Sequence, residues 1–254
     1  MGLLGTLHYL AQRAREAGAI AREPDWARED ETGWPMPPRR LVFAVAGSAR
    51  YDVFAEGGRK AVESLRGALK RAGIGLEDLG PVLDFGCGCG RVLRHLPRGL
   101  AVTGMDVDRW AVEWCRSHYS GMGFAVNKPG ERLPAADGRF GLIYAFSVFT
   151  HLSWEGQQFV AGELMRLMRP GGRLVVSTHG PSYDARLSAE ERAELERAGV
   201  VVRGAGLANS NYCNAFHRPW FVRDSLFKGL EERVYEPEGA LGSPHQDLYV
   251  FERP

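Results

Sequence analysis

Disulfides, membrane spans and a charge imbalance are all missing from this sequence. Only four cysteines occur in 254 residues. Cys87 and Cys89 lie on one tight turn, where a bridge between alternate residues would be strained, and Cys115 and Cys213 complete no metal-spaced pair. That argues against a disulfide scaffold and points to a reducing compartment. No window is apolar for long enough to cross a bilayer. The opening MGLLGTLHYLAQRAREAGAIARE alternates apolar and charged residues at helical spacing, without the uninterrupted apolar stretch of a signal peptide. The expectation is a cytoplasmic protein without membrane contact. With 32 basic against 31 acidic side chains the net charge is +1, which argues against a polyanion-binding surface as the main function. Internal repeats and low-complexity tracts are lacking too.

What is present is a rhythm. Residues 1–23 read as an amphipathic helix, and PDWAREDETGWPMPPRR after it is too rich in proline and charge for a regular element, so it reads as a strap. DVFAEGGRKAVESLRGALKRAG carries Val62, Leu65 and Leu69 on one helical face and stops at Gly73. PVLDF, LAVTGMD, GFAVN, RFGLIYAFS and RLVVSTHG then read as strands. GRVLRHL, DRWAVEWCRSHY and SWEGQQFVAGELMRLMRPGG read as helices between them. The last has a Ser153 cap, Glu155 in its first turn, a buried stripe of Val160, Leu164, Leu167 and Met168, and a stop at Pro170. Strands alternating with helices imply a parallel sheet covered on both faces. Beyond Gly180 the pattern predicts a polar helix, a small hairpin (VVVRG with NYCNAF), a helix in PWFVRDSLFKGL, and two closing strands, ERVYEP and DLYVFERP.

The turn in VLDFGCGCGRVL raises the functional question. Three alternating glycines after a strand that ends in Asp84 predict free backbone amides and a helix dipole facing an anionic group. Asp106, at the end of the second strand, is placed to accept both ribose hydroxyls of an adenosine ligand. A dinucleotide-binding turn requires its third glycine where this chain has Arg91. The glycine spacing instead resembles the first motif of class I S-adenosylmethionine (SAM) dependent methyltransferases. Three further segments extend the resemblance over most of residues 80–180: VTGMDVD, LPAADGRFGLIYAFSVFTHL and LMRLMRPGGRLVVSTHG. Gly141 departs from it, standing where many relatives have an aspartate.

The resemblance implies a three-layer, Rossmann-like α/β sandwich. Its mostly parallel seven-stranded sheet would have an antiparallel closing strand, with an N-terminal helical strap and a small hairpin insertion added. Residues 1–58 would form the helix and lid-like strap, and 59–254 the methyltransferase domain, with the insertion at about 200–218. SAM would lie on Gly86, Cys87, Gly88 and Gly90. Asp84 would support the loop and the ammonium, Asp106 would hold the ribose, and Val107 would pack near the adenine. Asn127 or Leu133 would border the adenine, Phe146 and Ser147 would lie under the sulfonium, and His151 would pack beside the cofactor. Arg91 would either contact the SAM carboxylate or be a surface residue.

Methyl transfer from a sulfonium needs alignment above all, and needs a base only when the acceptor is protonated. Histidine suits that task at neutral pH. His179 and His217 lead the candidates, with His151, and His245 behind them, also near the carboxyl edge of the sheet. Their spacing matches no metal-ligand motif. Trp34, Tyr51 and Phe54 of the strap, with Tyr212, Phe216 and Trp220 near the hairpin, would either roof an acceptor pocket or cover the sheet edge. The expected reaction is O-methylation of a small molecule such as a secondary metabolite or sugar. RNA or protein methylation and non-catalytic SAM binding remain alternatives. DNA amino-methylation is disfavoured because AFSVFTHL stands where its Asn/Asp-Pro-Pro-aromatic motif would be.

Overall fold

A computed structural model describes residues 29–208, 213–242 and 244–254. The expected N-terminal helix and Tyr212 lie outside the described residues. All seven expected strands form one sheet in the order β3-β2-β1-β4-β5-β9-β8. They are β1 (Val82–Phe85), β2 (Val102–Asp106), β3 (Gly123–Val126), β4 (Phe140–Ala145), β5 (Met168–Thr178), β8 (Glu231–Ala240) and β9 (Gln246–Glu252). Neighbours from β3 to β5 run parallel, and β9 is antiparallel to both β5 and β8. The hairpin expected at 200–218 is a separate antiparallel pair, β6 (Val200–Arg203) with β7 (Asn214–His217).

Strands β1 and β4 are buried throughout because helices cover both faces. Their side chains divide by alternation. Val82, Leu142 and Val175 enter one core with Leu65 and Leu69, whereas Leu83, Ile143 and Leu174 enter the other with Phe149 and Leu164. Edge strand β8 is largely exposed and carries Glu231, Glu232, Glu236 and Glu238, charges that discourage pairing with another chain.

The helices are α1 (Arg39–Ala46), α2 (Tyr51–Arg71), α3 (Arg109–His118), α4 (Trp154–Leu167) and α5 (Ala189–Ala198). In α3, Asp108 caps the Trp110 and Ala111 amides, and Ser188 and Glu191 form a capping box at the start of α5. Helix α2 turns Val62, Leu65 and Leu69 inward and runs unbroken through the domain boundary expected at 58/59, so strap and sheet share one element. Helix α1 was not anticipated. Pro38 precedes it and Gly47, in the left-handed region, ends it, so the proline-rich strap contains an eight-residue helix.

Three further local expectations are corrected. GRVLRHL forms only a short 3-10 turn, Leu93–His95. Pro97 limits its length, and the buried Arg94 turns inward to donate to the Trp34 carbonyl at 2.7 Å and pair with Asp30 at 3.0 Å. Helix α4 stops at Leu167, and Met168 to Gly172 already belong to β5. PWFVRDSLFKGL makes one α-turn, Pro219–Phe221, followed by a π-turn, Val222–Leu226. Gly141 also has a packing reason: a Cβ there would lie 1.5 Å from the Leu79 carbonyl oxygen.

Candidate active site

Strand order reverses between β1 and β4, and at the carboxyl ends of β1, β2 and β4 a cavity of about 940 Å³ opens. Crevices at such switch points are where open α/β sheets bind ligands. Gly86, Gly88, Asp106, Val107, Asn127, Leu133, Phe146, Ser147 and His151 all line it. Asp84, Cys87 and Gly90 lie behind its wall. Burial first, with the Asp106 charge adding, raises Asp84 to about 7, against the opposing influence of Tyr144 and Arg91. Cys87 points its Sγ at the Gly88 carbonyl, 3.6 Å away. A Cβ on Gly90 would meet the Tyr119 ring at 2.5 Å, so that glycine makes room for an aromatic side chain.

Four of the amides that the glycine pattern suggested would be free are already engaged within the protein. The Gly86 and Cys87 N–H groups donate to the Met105 carbonyl, Gly88 to Asp106 Oδ2 at 2.7 Å, and Gly90 to the Cys87 carbonyl. Without a regular helix behind it, the loop also lacks the expected dipole. It provides close backbone approach: Gly86 and Gly88 have φ of +79° and +52° and present no side chain to the cavity wall. A Cβ on Gly88 would lie 2.5 Å from Val45 of α1, so the strap rests on the loop.

Two polar groups await a ligand. Asn127 is buried, and its Oδ1 has no partner among the described residues. Asp106 accepts from Gly88 and, through Oδ1, from the Asp108 amide at 2.8 Å, which leaves further lone pairs on the carboxylate. The side-chain-free glycine cradle, the Asp106 carboxylate and the orphaned Asn127 amide oxygen fit the adenosine and methionyl parts of SAM. Arg91 lines the cavity, and burial lowers its pKa against the pull of Asp84 and Cys89.

Among the histidines, His151 lines the cavity and His179 and His217 do not. His179 is buried between Tyr183, at 4.2 Å, and Phe216, and burial first, then the charge of His151, drives it down to about 4. His217 is fully buried with its Nε2 2.9 Å from Gln157 Oε1, and burial, then the charge of His179, brings it to about 3. The bridge from His179 to Phe216 and the β6–β7 hairpin enclose both rings. His245 is exposed. His151 Nδ1 lies 2.8 Å from the Cys213 carbonyl oxygen, and burial lowers its pKa. A carbonyl can only accept, so Nδ1 carries the proton and Nε2 keeps its lone pair.

Of the aromatic residues singled out in the sequence, the described ones, Trp34, Tyr51, Phe54, Phe216 and Trp220, do not line the cavity. Trp34 packs edge-on against Tyr119, Phe54 is fully buried, Phe216 covers His179, and Trp220 is exposed beside Phe221. Phe43 of α1, Phe159 of α4 and Phe146 line the cavity instead. Phe43 was missed because the proline-rich run concealed α1.

Among the described residues no cluster of potential metal ligands occurs, and no helix is long and apolar enough to cross a membrane. Residues 83–176 match the family model described as a methyltransferase domain. A malonyl-[acyl-carrier protein] O-methyltransferase of Methylococcus capsulatus is 32% identical over 170 residues, covering 62% of this chain and 58% of that protein. Methyltransferase GfsG of Streptomyces halstedii is 34% identical over 103 residues, covering 38% of this chain and 36% of that protein. The chain thus matches less than two thirds of the length of either curated relative. A SAM-dependent methyltransferase of Methanosarcina mazei shares the fold at a TM-score of 0.53 and 16% identity, covering 70% of this chain and 94% of that one. Motif order, sheet topology and the matched segment agree: residues 83–176 form a methyltransferase domain of the class I SAM-dependent type, a family whose methyl donor is SAM.

Proposed function

We propose that this protein transfers the methyl group of SAM to an oxygen atom of a small, largely apolar molecule. The observation that carries this reading is His151, a neutral imidazole whose Nδ1 is tied to the Cys213 carbonyl in a cavity walled by Phe43, Leu152, Phe159 and Val160. Gly86 and Gly88 would pass beneath the methionyl part and Asp106 would hold the ribose. Asn127, Val107 and Leu133 would border the adenine, Phe146 and Ser147 would lie near the sulfonium, and Arg91 would meet the carboxylate. SAM supplies an already activated methyl group, so the protein's own contribution is alignment. His151 Nε2 takes the proton of an acceptor hydroxyl as the oxygen attacks, a contribution of about a hundredfold or more. Helix α1 serves as the lid over the cavity, resting on Gly88 through Val45.

The Methylococcus relative is named for a malonyl group on a carrier protein. A malonyl carboxylate is ionised at neutral pH and needs no base, so an unprotonated Nε2 on an apolar cavity favours a hydroxyl acceptor here. Two measurements test the reading. Calorimetry should detect SAM binding, weakened roughly tenfold or more by Asp106→Ala through loss of charged hydrogen bonds. Labelled methyl groups should pass to members of a panel of phenols and alcohols, and that transfer should depend on His151. Label appearing only on carboxylates, at rates indifferent to His151→Gln, would overturn the hydroxyl assignment, and no binding of SAM would overturn the whole reading.

A further inference from the structure

Ser147, the second residue past β4, has φ of +59° and is one of two non-glycine residues in the left-handed region among those described. That conformation is strained for a residue with a Cβ and persists only where surrounding groups enforce it. Here they do. The Ser147 N–H donates to Ser177 Oγ at 2.8 Å, and the Ser177 hydroxyl donates onward to Gln246 Oε1 at 2.6 Å. The Ser147 hydroxyl donates to the same Oε1 at 3.2 Å, and Thr150 Oγ1 donates to the Ser147 carbonyl at 3.0 Å. The Gln246 amide is placed with its oxygen toward these two hydroxyls and its nitrogen 3.5 Å from His179 Nε2. Ser177, Gln246 and His179 are all buried. They lie on or at the ends of β5 and β9, the antiparallel neighbours beside the cavity.

We infer that Gln246, acting through Ser177, is a positioning residue that clamps Ser147 in its left-handed conformation and so shapes the cavity wall beside the methionyl end of SAM. The inference rests on the SAM reading above for its ligand, and on the hydrogen-bond chain for its mechanism. It gives buried His179 a role as the far anchor of the clamp, with its Nε2 accepting from the Gln246 amide. The same clamp sets the start of the turn that carries His151, whose N–H donates to the Val148 carbonyl.

Glycine adopts positive φ without support, so Ser147→Gly separates clamping from general packing. Gln246→Leu should weaken binding of S-adenosylhomocysteine, measured by calorimetry, tenfold or more in the wild-type background. In the Ser147→Gly background, whatever that change costs by itself, it should weaken binding less than threefold. Equal losses in both backgrounds would overturn the clamp and assign Gln246 to packing alone. The same cycle read as urea midpoints of the ligand-free proteins should show the same coupling. If Gln246→Leu does not fold, Ser177→Ala, which removes the hydroxyl linking the two residues, takes its place in the cycle. A wild type that binds neither SAM nor its demethylated product refutes the functional reading, whereas a wild type that binds but shows an additive cycle refutes only the clamp.

Discussion

Acidification should destabilise this fold through histidines that are buried uncharged, and His217 is the sharpest case. Its ring is fully buried, and its folded value of about 3 compares with about 6.5 in the unfolded chain. Between those values the unfolded chain binds a proton that the folded state refuses. Stability therefore rises with pH across that window and is lost as pH falls from 6.5. His179, at about 4 when folded, acts in the same direction. Each unit below 6.5 costs about 1.4 kcal/mol per histidine, so His217 alone costs about 2 kcal/mol at pH 5, a large share of a typical domain's 5–15 kcal/mol. Asp84 opposes this. Raised to about 7, it holds a proton that the unfolded chain releases above about 4, so its contribution declines as pH rises through that interval. Urea titrations from pH 7 to pH 5 should show the wild type losing stability, and His217→Gln should lose about 2 kcal/mol less over the same interval. Burial also lowers His95 and His151, but these act equally in both proteins, so the difference isolates His217. Parallel losses in the two proteins would refute the reasoning.

The remaining expectations concern the cavity. Gly88→Ala should cost about 1–3 kcal/mol, because a side chain at φ +52° is strained and its Cβ would meet Val45. Adding Val45→Ala should restore SAM binding but only part of the stability, and no recovery of binding would show that α1 does not rest on the loop as described. Turnover in the wild type should have its acid limb below pH 6.5, since burial lowers His151 and only its neutral form accepts a proton; a limb above pH 7 would remove His151 from that role. Tryptic cleavage after the exposed Arg40, which lines the cavity from α1, should slow when SAM is added, and equal rates with and without SAM would argue against closure of the strap.

Much of this molecule was legible as sequence because its signals are local. The short apolar runs in VLDF and FGLIYA, the glycines of the first turn, the Ser153 cap and the spacing of Asp106 each act within a few residues. They carried the seven strands, the hairpin and the family resemblance. What they did not carry depends on neighbours far away in the chain. His217 is enclosed beside Gln157, 60 positions away, and His151 is oriented by the Cys213 carbonyl, 62 positions away, so no local pattern could rank one histidine above another. Arg94 replaced a helix by a short turn because Asp30 and Trp34 receive it, and Gly141 is required by a carbonyl on a different segment. Gln246 gave no signal in the chain at all, because its hydrogen bonds to Ser147 and Ser177 exist only once β9 inserts beside β5. Local chemistry determined which elements form and where the cofactor loop lies. Burial and hydrogen bonding between distant segments, properties of the assembled sheet, decided which polar groups face the cavity and in what protonation state.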